Sequence, residues 1–431
     1  MRLPKSQKKL LVPPASRPER KSRQLLVWAL LLILVVFAIR SYRNQAPSET
    51  QAEISHGGAL KQKIAEALRA PLNQSAFPKE IPMTLGEVQT KAQVIYALDW
   101  ESQRFMDNMF KAYRPDYGAF VAMDAASGRI LSLCSYSRNA TDLGHLALKA
   151  SYPAASVFKI VTAAAAIDRN KMTPDTQIAY NGGNHTLYRR NVTGEFENRW
   201  TRRVTFSEAF AKSINTVFAK VGLYRLQPPD LMEYASRFQF NQPIPADIPV
   251  EKASFEIAEN DEWAIAEAAS GFTRNSTLSP LQGALMAAAV ANDGLMMSPY
   301  LVDRAFTLDD GFLYEAQPST VAVAVSPETA KALRTLMKET VRIGTSRSVF
   351  RKLFRKKGFD DLDVGGKTGS LVGMSPKGKY DWFVGYARRG DKKIAVSALT
   401  INEEKWQVKS SYLAKEFIQH FFTKNELASP K

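Results

Sequence analysis

The residues best suited to covalent chemistry are a serine and a lysine that interrupt an otherwise apolar segment, "ASYPAASVFKIVTAAAAID" (150–168). Ser156 and Lys159 are three residues apart, so a helix beginning at Ser156 would place the amine beside the hydroxyl. A serine is a weak nucleophile unless a base removes its proton. Burial among alanines and beside Phe158 would lower the pKa of the lysine, and the helix N-terminus would offer N–H groups to an oxyanion. The pair therefore predicts an activated serine nucleophile.

Two further short patterns could supply the rest of such a site. Residues 213–215 (S-I-N) lie between two apolar segments that predict helices, and residues 367–369 (K-T-G) occur once, in a strand-like run. Glycine is costly in a strand unless something must approach the backbone closely. Taken alone, the pattern at 213–215 can be explained as a helix cap and the pattern at 367–369 as a β-turn. Their order, with 57 residues from Ser156 to position 213 and 154 more to position 367, makes them a joint signal.

In this order the patterns resemble those of the penicillin-binding proteins, the active-serine D,D-transpeptidases, and of their β-lactamase relatives. The resemblance covers residues 117–424. It includes four longer segments: "VTFSEAFAKSINTVFAKVG", "LSPLQGALMAAAVANDGLMMSPYLV", "LRTLMKETVRIGTS" and "DVGGKTGSLVGMSPKGKYDWFVGYARR". One departure is at Ser270, Gly271 and Phe272, where such domains usually carry glycine-glutamine-glycine, so this loop is expected to differ in shape.

The resemblance implies catalytic roles for four residues. Ser156 would attack the carbonyl of a terminal D-Ala-D-Ala, and Lys159 would take its proton. Ser213 would relay a proton to the leaving amine, and Asn215 would hold the substrate amide and orient Lys159. An amine from a neighbouring stem peptide would then displace the acyl-enzyme and cross-link the wall, and β-lactam antibiotics would acylate the same serine.

It also implies a substrate-binding role for the strand that carries the third pattern. Lys367 and Thr368 would bind the terminal carboxylate by charge and hydrogen bond. Gly369 would leave space for the peptide along the strand. The backbone N–H groups of Ser156 and Ser370 would form the oxyanion hole. This chemistry requires neither a metal nor a cofactor, and the four scattered histidines form no H-E-x-x-H pattern.

Other functions use the same motifs and stay open. A serine β-lactamase would add a base that hydrolyses the acyl-enzyme, and no E-x-x-L-N-like segment lies between positions 213 and 367. A D,D-carboxypeptidase, with water as the acceptor, leaves no distinguishing mark on these motifs. The non-enzymatic alternatives are a β-lactam sensor and a division scaffold. A sensor would carry a membrane protease, and a scaffold would have lost a catalytic group; neither feature is present.

The N-terminal segment predicts attachment to a membrane. Of the net charge of +16, residues 1–23 contribute +7, and fifteen apolar residues follow at 25–39. This pattern predicts a basic cytoplasmic tail (1–23) and a single transmembrane anchor (24–42), with the rest of the chain in the periplasm or outside the cell. A cleavable signal peptide is the alternative, but Arg40 and Arg43 follow at once without an A-x-A-like site. No aromatic-basic module supports nucleic-acid binding.

The elements that must position the motifs indicate an α+β fold of the penicillin-binding transpeptidase and serine β-lactamase type, an antiparallel sheet with an all-helical subdomain. A hairpin is predicted from Tyr117, helices from 156 to 300, and strands again near the end, so that the sheet joins both ends of the domain (116–425). The basic run at 347–357 predicts a solvated face, and Cys134 a buried apolar filler.

A linker and a short pre-domain are predicted at 43–115. Residues 44–57 are polar and irregular, and the helical pattern that follows is expected to break at Pro71. "TKAQVIYALD" predicts a strand and "WESQRFMDNMFKAY" a helix. This region is too short for a glycosyltransferase domain, so glycan polymerisation is expected to come from a separate partner.

Overall fold

The computed structural model of the protein describes residues 48–139, 143–194, 197–258 and 260–427. The chain divides into two units, residues 1–59 and 60–431. The predicted basic tail (1–23) and transmembrane anchor (24–42) lie outside the described residues. Within the described ranges, no helix combines the length and the apolar character that crossing a membrane requires.

Helices and strands alternate irregularly along the chain. The helices are α1 (Ser48–Asn73), α2 (Trp100–Tyr113), α3 (Lys159–Asn170), α4 (Arg189–Thr193), α5 (Phe206–Ala211), α6 (Asn215–Tyr224), α7 (Pro228–Arg237), α8 (Glu262–Ser270), α9 (Pro280–Ala291), α10 (Pro327–Arg342), α11 (Arg347–Phe354) and α12 (Ser410–Leu427). The strands are β1 (Glu80–Leu85), β2 (Val88–Tyr96), β3 (Tyr117–Asp124), β4 (Ile130–Ser137), β5 (Tyr152–Pro153), β6 (Gln177–Tyr180), β7 (Arg202–Thr205), β8 (Thr277–Leu278), β9 (Leu295–Met297), β10 (Val302–Thr307), β11 (Phe312–Glu315), β12 (Thr320–Val323), β13 (Asp363–Met374), β14 (Lys377–Arg389) and β15 (Lys392–Asn402).

The main sheet is antiparallel throughout, with the strand order β13-β14-β15-β3-β4. Helix α9 packs on one face, and α2 and α12 pack on the other. Successive residues of β3 therefore enter different cores: Ala119, Val121 and Met123 face one, and Phe120 and Ala122 face the other. The predicted hairpin is confirmed. So is the meeting of early and late strands in one sheet, since β3 pairs with β15.

A mainly helical layer built from α3 to α8 packs beside this sheet. It differs from the predicted all-helical subdomain because it also contains the two-stranded sheet of β6 and β7. Helix α3 is its centre, with an unbroken buried run over residues 159–166. The predicted helical segment around position 213 forms two helices, α5 and α6. Ser213 separates them with a φ of 54°, a left-handed conformation that ends the first helix.

A second sheet joins the segment before the main sheet to a later part of the chain. Its order is β1-β2-β10-β11, and β2 pairs antiparallel with β10. The buried Asp247 carboxylate supports this junction because it accepts hydrogen bonds from the backbone N–H groups of Leu301 (2.8 and 3.1 Å) and Val302 (2.8 Å). Burial raises the pKa of Asp247 to about 6. The predicted strand in "TKAQVIYALD" is confirmed as part of β2.

Two predictions for the N-terminal region are wrong. A linker was predicted at 44–57, but residues 48–57 are helical, because helix α1 begins at Ser48. Its Glu, Gln and Ala residues have high helix propensity despite their polarity. The helix also continues through Pro71 instead of breaking there. Proline weakens a helix interior, but Leu68 and Leu72 are fully buried and hold this last turn against the core.

Candidate active site

Ser156 lies on a tight turn and not, as predicted, at the start of an α-helix. Residues Ala155–Phe158 form a 3₁₀ turn, and the α-helix begins at Lys159. Ala155 has a φ of 48°, an uncommon conformation for a residue with a side chain. Gly271 packs directly behind it: a Cβ at this glycine would lie 2.1 Å from the carbonyl oxygen of Ala155. The departure noted around Gly271 therefore lies in the loop that supports the serine.

Lys159 is fully buried and directly contacts the serine. Its Nζ lies 2.8 Å from Ser156 Oγ, 2.8 Å from Asn215 Oδ1 and 2.5 Å from the carbonyl oxygen of Ser270. Burial lowers the pKa of Lys159 well below its ordinary value, and the charge of Lys367 lowers it further. The direction of this shift is the one expected from burial, and it favours the neutral amine that a base requires.

The break between α5 and α6 brings Ser213 and Asn215 to the same place. Ser213 Oγ accepts a hydrogen bond from Lys367 Nζ at 2.8 Å. Asn215 accepts from Lys159 and donates through Nδ2 to the carbonyl oxygen of His185 at 2.9 Å. Both ends of the amide are engaged, so its orientation is fixed. Both residues are almost completely buried.

Lys367 lies in β13 with its side chain fully buried. Besides Ser213, its Nζ donates to the carbonyl oxygen of Thr368 at 2.9 Å. Burial lowers the pKa of Lys367 to about 7. Burial therefore destabilises the charged form in the free protein, whereas the role implied for the side chain requires a full positive charge. A bound carboxylate would supply the missing stabilisation of the charged form.

The following residues of β13 form one wall of the site. Thr368 Oγ1 lies 2.6 Å from Thr345 Oγ1, and Ser370 is exposed. A Cβ at Gly369 would lie 3.2 Å from Val157 Cγ2 and 3.3 Å from the backbone nitrogen of Val157. The glycine thus lets the strand run close to the turn that carries the serine.

A cleft of about 500 Å³ connects these groups. Six of the eight predicted residues line it, and the two lysines lie behind them. The six are Ser156, Ser213, Asn215, Thr368, Gly369 and Ser370. Several other lining residues were not predicted from the sequence, namely His185, Thr345, Ser348, Val349, Asp381, Lys409 and Ser411. Thr345 and Asp381 belong to segments that resembled the family, which could have signalled them, but no local pattern marks the others.

His185 approaches the cleft from a loop between β6 and α4. Burial lowers the pKa of His185, and the charges of Lys159 and Lys367 lower it further. The neutral imidazole is therefore favoured. Its clearest contribution is the backbone carbonyl that holds Asn215.

Comparison with known sequences agrees with this geometry. A family model described as "Penicillin binding protein transpeptidase domain" matches residues 118–422. The chain is 29% identical over 323 residues to the peptidoglycan D,D-transpeptidase PbpA of Mycolicibacterium smegmatis, covering 66% of this chain and 62% of the relative. It is 26% identical over 336 residues to the stage V sporulation protein D of Bacillus subtilis, covering 72% and 48%. The chain thus spans less than two thirds of the length of either relative.

Solved structures have the same fold. The D,D-transpeptidase domain of a peptidoglycan glycosyltransferase from Eggerthella lenta superposes with a TM-score of 0.65 at 22% identity, covering 82% of this chain and 97% of that one. The penicillin G acyl-enzyme of penicillin-binding protein A from Mycobacterium tuberculosis superposes with a TM-score of 0.60 at 24% identity, covering 77% and 80%.

Proposed function

The chain belongs to the penicillin-binding protein transpeptidase family, and we propose that it is a serine D,D-transpeptidase that cross-links peptidoglycan stem peptides and is acylated by β-lactams. The observation that carries this proposal is the 2.8 Å contact between Ser156 Oγ and the buried Lys159 Nζ, whose pKa burial lowers. A neutral amine has two N–H donors and one lone pair. The acceptors Asn215 Oδ1 and Ser270 O occupy the donors, which leaves the lone pair for the serine proton.

Acylation would proceed by nucleophilic attack. Ser156 Oγ adds to the penultimate D-Ala carbonyl while its proton moves to Lys159 Nζ, and the backbone N–H groups of Ser156 and Ser370 stabilise the oxyanion. The carbon–nitrogen bond then breaks, and the terminal D-Ala leaves as an amine after taking a proton. Ser213 would relay that proton: its O–H would donate to the leaving amine, and Lys367, which donates to the Ser213 oxygen, would replace the proton.

Binding of the terminal carboxylate would involve the opposite wall. Lys367 lies behind the cleft and donates a hydrogen bond to Ser213, which lines it. The hydroxyl oxygens of Thr368 and Thr345, which also line the cleft, are 2.6 Å apart. A carboxylate bound here would raise the pKa of Lys367 above its free value of about 7 and restore the full charge. Ser370 and the backbone of Gly369 would hold the peptide along β13.

The acceptor that releases the acyl-enzyme distinguishes the remaining functions. A stem-peptide amine gives cross-links, and water gives D,D-carboxypeptidase or β-lactamase activity. The cross-linking reaction is favoured here because a relative that is 29% identical over 66% of this chain is named a peptidoglycan D,D-transpeptidase. Incubation of the purified chain with a donor stem peptide and a labelled amine acceptor would decide this, since exclusive release of the hydrolysed donor would contradict transpeptidation.

The nucleophile itself can be tested independently of the acceptor. A fluorescent penicillin should label the full chain covalently, and peptide mass spectrometry should locate the adduct on Ser156. Ser156→Ala should lose the label, whereas Ser348→Ala, another cleft hydroxyl, should keep it. Labelling of Ser156→Ala at the wild-type level would refute the assignment.

We propose further that residues 24–42 anchor the protein in the cytoplasmic membrane, with residues 1–23 in the cytoplasm and the domain (116–425) in the periplasm or outside the cell. The support is the basic segment followed by fifteen apolar residues. A separate glycosyltransferase would then supply the glycan strands, with residues 43–115 as linker and pre-domain. A reporter that is active only outside the cytoplasm, fused to the C-terminus, should be active; an inactive, stably expressed fusion would contradict this topology.

A further inference from the structure

Four arginines converge on a second cavity that the proposed reaction does not use. Arg342 ends helix α10, and Arg347, Arg351 and Arg355 follow on and just after α11. Together they line a cavity of about 350 Å³. The other lining residues are Val341, Phe354 and Asp360. We call this cavity the arginine cleft.

The guanidinium groups of the arginine cleft are not engaged in ion pairs. Within the described part of the chain, none of the four has an Asp or Glu oxygen within 4.0 Å, and all four residues are exposed. Asp360 is the one acid in the lining, which leaves an excess of three positive charges around the cavity. Like charges that line one cavity repel each other, so the arrangement is unfavourable until an anion enters the cavity.

The arginines are held on a rigid support. Positions 347, 351 and 355 are spaced by four residues, so they project from one side of α11. The opposite side is anchored by Phe350 and Leu353, which are fully buried in the core under the sheet. The guanidinium groups therefore share a fixed base, which reduces the entropy that a ligand must overcome to order them.

We propose that the arginine cleft is a binding site for a diphosphate group. Guanidinium groups bind phosphate oxygens through paired, charge-assisted hydrogen bonds. An excess of three charges exceeds what one carboxylate can neutralise, and the cavity is larger than a single carboxylate needs. A diphosphate has enough negative charge to balance the excess positive charge of the cleft and enough oxygens to accept from its guanidinium groups. The site is adjacent to the catalytic cleft, since Ser348 and Val349 of the same helix line that cleft.

The test is calorimetric titration of the full chain, in non-ionic detergent, with inorganic pyrophosphate at fixed ionic strength. We expect saturable binding to the wild type and an affinity roughly tenfold to 100-fold lower for Arg347→Gln/Arg351→Gln, since each removes charge-assisted hydrogen bonds. Lys352→Gln/Lys357→Gln is the matched control. It removes the same charge from exposed positions of the same segment that do not line the cleft, and it should change the affinity less than about threefold.

Equal losses in the two double variants, or no binding to the wild type, would overturn the proposal, because the attraction would then be diffuse or absent. Displacement of pyrophosphate by tricarballylate at an equal concentration would also overturn it, because the site would not select phosphate. Penicillin labelling and the melting temperature should match the wild type in both variants, which separates a failed site from a failed fold.

A second arm identifies the source of the phosphate. Vesicles that contain diacylglycerol diphosphate should bind the wild type more tightly than the arginine variant if the ligand is a lipid headgroup, with phosphatidylcholine vesicles as the neutral control. A soluble diphosphate is indicated by a different result. The wild type and the arginine variant would then bind each kind of vesicle equally, while the wild type still binds pyrophosphate more tightly. Either result supports the site, whereas loss of both differences refutes it.

Discussion

Raising the pH above 7 should slow acylation by a carboxylate-bearing β-lactam, because Lys367 loses the charge that attracts the carboxylate. Burial lowers the pKa of Lys367 to about 7 in the free protein. The protonated fraction is then about one half at pH 7, about one eleventh at pH 8 and about one hundredth at pH 9. The second-order acylation rate constant reports the free enzyme. It should therefore fall about fivefold from pH 7 to 8 and about 50-fold from pH 7 to 9.

Lys159 should give the acylation rate the opposite pH dependence. It must be neutral to accept the serine proton, so acylation is lost as the pH falls through the pKa of Lys159. Burial and the charge of Lys367 both lower that pKa, which moves the acidic limb to lower pH. The complete profile is expected to be bell-shaped, with Lys159 setting the acidic limb and Lys367 the alkaline one.

The assay is stopped-flow acylation with a chromogenic cephalosporin between pH 5.5 and 9.5, and the matched variant is Lys367→Arg. A guanidinium stays protonated over this whole range, so the variant should lose the alkaline limb even if its altered shape lowers the rate at every pH. An unchanged alkaline decline in Lys367→Arg, or a wild-type rate that is constant from pH 7 to 9, would refute the assignment of that limb to Lys367.

Three other substitutions test separate parts of the site and its support. Lys159→Arg keeps the positive charge but cannot accept a proton, so the acylation rate constant should fall about 10²- to 10⁴-fold, and below that of Lys367→Arg; a wild-type rate would contradict the role of base. Gly271→Ala places a Cβ 2.1 Å from the carbonyl oxygen of Ala155, at a φ of +66°, so it should displace the serine turn and strongly reduce penicillin labelling in a protein that still folds by circular dichroism. Asp247→Ala leaves buried backbone N–H groups without an acceptor and should lower the free energy of unfolding by roughly 3 kcal/mol in urea titrations; a loss below about 0.5 kcal/mol would show that the carboxylate does not stabilise the junction.

Much of the fold could be predicted because it depends on patterns that are local in the sequence. The alternating hairpin from Tyr117 became β3 and β4, and the helix "WESQRFMDNMFKAY" is α2 from its first residue to its last. Long-range packing overrides local preference at Pro71 and decides pairings that no local pattern predicts. Pro71 remains helical because Leu72 beside it is buried, and β10 pairs with β2 across more than 200 residues of chain.

The sequence by itself determined the chemical groups of the candidate site. The order and spacing of three short patterns, with the family resemblance that they carry, predicted eight site residues, and the structure places all eight at one cleft or directly behind it. Their catalytic roles remain predictions. The spacing carries this information because the hydroxyl and the amine must share one turn, whatever surrounds them.

Only the tertiary structure decided the protonation and the orientation of these groups. Lys159 and Lys367 have the same side chain, and their difference arises from distant residues. Asn215 and the carbonyl of Ser270 accept from Lys159, whereas Lys367 donates to Ser213. The pKa of a buried amine depends on how far water is excluded and on which charges and dipoles lie within a few ångströms. Those neighbours come from segments more than 50 residues away, and only folding brings them together.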